Sequence, residues 1–218
     1  MKIEQPKFGA EDVEVLKESL AYQGFHRIKQ IRLKHRLYKG GWSEEMEREV
    51  SDRGSAASVV VYDPTLEAVC LVEQFRIATH GSGKSPWSRE IVAGMIDKEG
   101  ELPEDVVRRE LAEEAGLIPD YLERITSYWV SPGGSSARMH IYIALCDLSE
   151  AGGIYGLEDE HEDILALVSP LKTVYQSAIV GESSNAATLI GLQWLTLNQE
   201  RMYHVWHALK GKQENSDL

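Results

Sequence analysis

The chain has 218 residues, a length that fits one large domain or a domain carrying a smaller extension. Its 43% hydrophobic and 27% charged content is ordinary for a globular protein, and no apolar run nears the ~20 residues of a membrane-spanning helix. A net charge of −12 argues against nucleic acid as a partner, because neutralising phosphates takes basic patches.

The first residues, Met1 to Lys7, hold no apolar signal-peptide core, so a cytoplasmic location without membrane attachment is expected. Short strand candidates follow at Ser19–Tyr22 and Phe25–Leu37, with Gly40-Gly41 as a turn. Residues 1–52 therefore read as a small β extension, 53–210 as the main domain, and 211–218 as a polar, flexible tail. Ala56–Tyr62 and Ala68–Phe75 suggest a β-hairpin across Asp63-Pro64. Trp87–Ala93 reads as one strand leading into the loop Gly94–Leu102.

Pro103 suits the first turn of a helix, where its missing N–H costs nothing. Val106, Val107, Leu111 and Ala115 repeat at helical spacing, and Gly116 supplies the stop. Ile125–Val130 and Arg138–Cys146 are further strands around the turn Ser131-Pro132-Gly133-Gly134. Glu158–Asp163 forms an acidic loop before the strand Ile164–Val168, and helices are expected over Leu171–Val180 and Ala186–Leu209. This mixture points to an α+β fold, an α/β/α sandwich, and there is no G-x-G-x-x-G and no P-loop. Cys70 and Cys146 lie in apolar strands and read as buried free thiols. His204 and His207 read as packing or surface residues.

The helix after Pro103 carries the chemistry. Glu110 and Glu114 stand at i and i+4, which stacks like charges on one face and destabilises an isolated helix. A divalent cation is the natural neutraliser, since magnesium is commonly held by one or two carboxylates plus substrate phosphates. Glu113 lies beside the pair, and Arg109, four residues before Glu113, can orient it. Taken alone, these residues also fit a solvated acidic helix.

The longer spacing decides between the two. Gly94, Glu101, Arg109-Glu110, Glu113-Glu114, Ala115, Gly116 and Leu117 together resemble the Nudix box. Six residues, Met95 to Gly100, stand between the first glycine and the first glutamate where the family usually has five. Glu90–Met95, Val130–Ser135, Gly156–Asp163 and Asn185–Leu195 extend the likeness to the bacterial ADP-ribose pyrophosphatase branch, as do Gly24-Phe25 and Arg48-Glu49.

The resemblance implies the Nudix fold with an N-terminal β extension shared in a homodimer. It also implies hydrolysis of the diphosphate of ADP-ribose, or of a related nucleoside diphosphate sugar, with two or three Mg2+ or Mn2+ ions. By the same resemblance Glu160 is the general base. The metal ligands are Ala93 through its carbonyl, Glu110, Glu113, Glu114 and Glu162. Phe25, His26, Arg48, Glu49, Arg76, Met95, Ser131 and Gly133 match substrate contacts, and Glu101 and Arg109 match orienting positions.

At one position the chain departs from the branch: Ala137 stands where a glutamate holds the terminal ribose, and a methyl group accepts no hydroxyl bonds. Another sugar nucleotide such as GDP-mannose, and a non-catalytic nucleotide-sensing module, stay open as alternatives. His161, inside the acidic loop, is a further candidate for tuning it by protonation.

Overall fold

The computed structural model describes residues 5–182 and 185–216; residues 1–4 of the expected extension and 217–218 of the expected tail lie outside the described residues. The chain divides into two compact units. The first comprises residues 1–55 with 129–138, and the second comprises residues 56–128 with 139–218.

The first unit is a three-stranded antiparallel sheet of β1 (Val13–Gln23), β2 (Arg27–His35) and β3 (Met46–Asp52). The segment expected as one strand, Phe25–Leu37, begins in a bend, and β1 is far longer than the expected Ser19–Tyr22. Two bulges, between Val15 and Lys17 and between Leu20 and Tyr22, keep β1 in register with β2. None of the described residues in this unit is fully buried, and Val13, Val15, Leu20 and Tyr22 of β1 all stay exposed.

The second unit is built on an eight-stranded mixed sheet. Its main path runs β10 (Gly153–Tyr155), β11 (Ile164–Pro170), β5 (Ala68–Phe75), β4 (Ala56–Asp63), β9 (Arg138–Leu145) and β8 (Tyr121–Trp129). β6 (Trp87–Glu90) pairs with β5, and β7 (Val92–Met95) pairs with β4. The expected strand Trp87–Ala93 is thus broken at Ile91 and continues on a different neighbour. The Ile91 N–H leaves the ladder and donates to Thr188 Oγ1 at 3.1 Å, a partner 97 residues away. β10 has no counterpart in the sequence reading, because three residues starting at Gly153 carry no alternation.

Each face of this sheet has its own helical cover, which gives the three layers of an α/β/α sandwich. On one face Ala57, Val59, Val61, Cys70, Val72 and Tyr142 pack on the stripe Val106, Val107, Leu111 and Ala115 of α1 (Pro103–Ala115). On the other, Val60, Tyr62, Leu71, Ile141 and Ile143 pack against α2 (Leu171–Ile179) and α3 (Ala186–Ser216). Alternation along β4 sends successive side chains to opposite layers, as period-2 geometry requires. Helix α3 runs through Ser216, beyond the expected end at Leu209 and into the segment 211–218 expected as a flexible tail. Among the described residues no helix is long and apolar enough to cross a membrane.

Both cysteines are buried and free. Burial pushes the Cys70 thiol up to about 11 and the Cys146 thiol up to about 12, so both stay protonated and unreactive at neutral pH.

The seat of α1 depends on Leu111, which is fully enclosed. Leu111→Ala is expected to cost about 2–5 kcal/mol of folding stability, a loss measurable by urea denaturation.

Candidate active site

Helix α1 begins at Pro103 and ends where Gly116 turns left-handed, with φ 65° and ψ 24°. A Cβ at Gly116 would lie 2.7 Å from the Tyr155 ring, so the helix stop is also packed against β10. Between these ends the helix turns one face to the core, and Glu114 falls on it, three residues beyond Leu111. Its side chain is only 2% exposed. Its Oε2 accepts the Ala93 N–H at 3.3 Å, from the adjoining end of β7.

The electrostatics of this pocket are strained. Burial pushes the Glu114 carboxyl up to about 8, and the neighbouring charges of Glu110 and Glu162 push the same way, while the Ala93 N–H and the Arg76 charge oppose them. Burial likewise raises Glu110, with Arg109 opposing and Glu113 and Glu162 reinforcing the rise.

Arg109 relieves part of this crowding. It donates from Nε to Glu101 at 3.2 Å and from Nη1 to Glu110 at 2.7 Å and Glu113 at 3.1 Å. Burial works against its charge, yet these carboxylates raise its pKa on balance. Glu101 Oε2 is buried and has no hydrogen-bond partner among the described residues.

The backbone near the site is fitted to these acids. At Gly94 an added Cβ would lie 1.8 Å from Glu110 Oε1, so glycine here makes room for the carboxylate. Just before Glu101 the chain turns at Gly100, φ +79°, and the Glu101 N–H donates to the Lys98 carbonyl.

The acidic loop is anchored beside α1. The Gly156 N–H donates to the Glu113 carbonyl at 3.2 Å, and Gly156, φ +107°, leaves room for Glu162. Glu162 Oε2 accepts the Leu157 N–H at 3.2 Å. Glu158–Glu160 forms one 3-10 turn that ends at His161 in the left-handed region, φ 57°, and leaves Glu160 exposed.

The structure therefore brings together Ala93, Glu101, Arg109, Glu110, Glu113, Glu114 and Glu162. Met95 ends β7 opposite Ala56 and is half-buried. Arg76 follows β5 and is paired with Glu90, a buried residue that sequence reading did not single out as a site residue. The remaining candidates belong to the first unit. Phe25 is highly exposed with the Arg53 guanidinium 4.7 Å from its ring centre, and it meets His26 edge-on. Arg48 donates to the Glu47 carbonyl, and Glu49 pairs with Gln30 across β2–β3. The Ser131 carbonyl accepts the N–H groups of Gly134 and Ser135, which closes the turn containing Gly133.

A divalent cation fits this donor set. One buried and one half-buried carboxylate of raised pKa, with a third acid near them, are what such a charge would relieve. Among the described residues no three His, Cys, Asp or Glu side chains are drawn up as a closed metal cage. Glu110 leans to Arg109 and Glu162 to its own loop. That openness suits an ion that takes its other ligands from water and phosphate. A separate cavity of about 790 Å3 lies by α2 and α3, near Leu71, Trp87, Thr173 and Leu192. Along it Arg89 is paired with Glu73, and Lys84 donates to the Gly181 carbonyl.

This chain belongs to the Nudix family: the NUDIX domain matches residues 52–180. It is 43% identical over 199 residues to the ADP-ribose pyrophosphatase of Escherichia coli (strain K12), covering 91% of this chain and 95% of that one. The ADP-ribose pyrophosphatase of Haemophilus influenzae is also 43% identical, over 91% of this chain and 93% of its own length. The GDP-mannose pyrophosphatase of Enterobacter sp. (strain 638) is 30% identical over 85% of this chain and 96% of its own.

Two outcomes follow from the site. Because the Glu114 carboxyl is raised in the folded state, its contribution to stability is present below about 4.5 and is lost as pH rises through about 8. The melting temperature of the metal-free protein should therefore fall between pH 5 and pH 9, and Glu114→Gln should flatten that fall. Gly94→Ala should displace Glu110 and lower kcat at least about ten-fold, with circular dichroism unchanged.

Proposed function

We propose that this Nudix hydrolase cleaves the diphosphate of ADP-ribose, giving AMP and ribose 5-phosphate, with Mg2+ or Mn2+. The observation that carries the reading is the buried Glu114 carboxyl, stacked with Glu110 and facing Glu162, in a chain 43% identical to two ADP-ribose pyrophosphatases.

In this reading Glu110, Glu114 and Glu162 hold two or three ions with Glu113 and the Ala93 carbonyl. The ions, when bound, neutralise the diphosphate and the oxygen that leaves. Glu101 and Arg109 orient the helix acids. Glu160, exposed on the loop, closes toward the substrate and takes a proton from the attacking water. The water oxygen bonds to phosphorus, the bridging P–O bond breaks, and the electron pair leaves on the released phosphate.

Arg76, Met95, Ser131 and Gly133 contact the nucleotide sugar. Phe25, His26, Arg48 and Glu49 do so from a second subunit. A first unit with no fully buried residue among those described, exposing Val13, Val15, Leu20 and Tyr22 on a sheet of three strands, supports a homodimer in which this extension is covered by the second copy. Residues 53–210 then form the catalytic domain.

Ala137 favours a second reading of the substrate, a different nucleoside diphosphate sugar. The turn around it is closed by main-chain bonds, with the Val130 N–H donating to the Ala137 carbonyl, and a methyl group there offers a sugar no acceptor. The GDP-mannose pyrophosphatase relative at 30% identity lies in the same direction.

Turnover of ADP-ribose, ADP-glucose, GDP-mannose and NADH with Mg2+ decides between them. ADP-ribose is expected to show the highest kcat/KM; a higher value for GDP-mannose would support the second reading. Glu114→Gln should lower kcat by about two orders of magnitude or more while the fold survives. Tight ADP-ribose binding by the wild type without products would instead favour a nucleotide-sensing module.

A further inference from the structure

We infer that Glu90 is a positioning residue for substrate binding, acting through Arg76. Glu90 closes β6 in register with Val72, and its side chain is only 8% exposed. A carboxylate so enclosed needs a partner, and it has one. Arg76 Nη2 donates to Glu90 Oε2 at 3.0 Å, and Arg76 Nε lies 3.3 and 3.4 Å from the two oxygens.

The backbone of Arg76 is fixed as well. Its N–H donates to the Pro86 carbonyl at 2.7 Å, and its own carbonyl accepts Thr79 Oγ1 and the Thr79 N–H. Main chain and one side of the guanidinium are thus both held. The Nη1 edge has no partner among the described residues. This edge belongs to a cation whose charge is felt at Glu114, on the helix of the carboxylates.

An arginine binds phosphate well because its fork is planar and rigid, so orientation matters as much as charge. A freely turning guanidinium would have to be ordered at each encounter. Glu90 orders it beforehand and leaves the outer edge for the acidic ligand. A buried acid close to an anion-binding site would otherwise only repel the substrate, and that repulsion is offset by holding the arginine in place.

The functional half of this inference rests on Arg76 contacting the diphosphate as proposed above; the positioning half does not. Both are read in one set of variants: Glu90→Ala, Glu90→Gln, Arg76→Ala and Glu90→Ala with Arg76→Ala. In the first readout, the 15Nε–H signal of Arg76, assigned by its loss in Arg76→Ala, should be protected from exchange in the wild type and in Glu90→Gln. It should lose protection in Glu90→Ala.

In the second, Glu90→Ala should raise the KM for ADP-ribose about ten-fold or more with kcat changed less than about three-fold, and Glu90→Gln should recover most of the loss. In the Arg76→Ala background, Glu90→Ala should add nothing to KM. The inference is overturned if Glu90→Ala leaves the Arg76 signal protected, or if it raises KM by the same factor without Arg76. Should the wild type turn over no ADP-ribose, the proposed function falls, and the Arg76 signal still decides whether Glu90 holds the guanidinium.

Discussion

One guanidinium, Arg109, stands between three glutamates and offsets part of the charge crowded at the candidate site on α1. Glu101, Glu110 and Glu113 all accept from it, across a loop and one turn of α1. Without it the face of α1 toward the loop would carry only like charges at i, i+3 and i+4 spacing, which opposes helix formation. Arg109 does not reach Glu114, the acid buried deepest. Relief is therefore partial: one guanidinium offsets part of the charge of the outer acids, and the inner one is buried beyond its hydrogen bonds.

The fold supplies everything else this arrangement needs. Leu111 and Val107 seat the helix on the sheet, and Glu114 is carried inside because it shares their face. The break at Ile91 moves the chain from β5 to β4 and so brings Ala93 and Gly94 against Glu114 and Glu110. Strand β10 packs Tyr155 on the end of α1 and then releases the chain into the acidic loop, whose Glu162 is felt by both helix acids. Two separate stretches, β7 and the run from β10 into the acidic loop, thus converge on α1, each with a short-range contact at a glycine.

Much of this was legible in the sequence. The apolar repeat Val106, Val107, Leu111 and Ala115 with Gly116 behind it marked α1, and the i, i+4 acids marked its problem. The hairpin β4–β5 and the strands β9 and β11 followed from runs of β-branched and apolar residues. Features set by distant partners were not legible. Ile91 breaks its strand because of Thr188. Glu90 stands opposite Val72, four residues before Arg76, so its pairing with that arginine is made by side chains alone and leaves no local pattern. β3, with its charged run Glu47–Glu49, and β10, three residues long, lack the alternation that betrays a strand. The burial of Glu114 is the sharpest case: an acid on an apolar stripe reads as a flaw in the pattern until the tertiary fold closes over it.

The central claim is that Glu114 is kept protonated and buried until a divalent cation takes the place of its proton. Calorimetric titration of the metal-free protein with Mn2+ at pH 7, repeated in buffers of different ionisation enthalpy, counts the protons released on binding. The account predicts release of about one proton by the wild type and almost none by Glu114→Gln. Binding with no proton release, or the same release from Glu114→Gln, would contradict it.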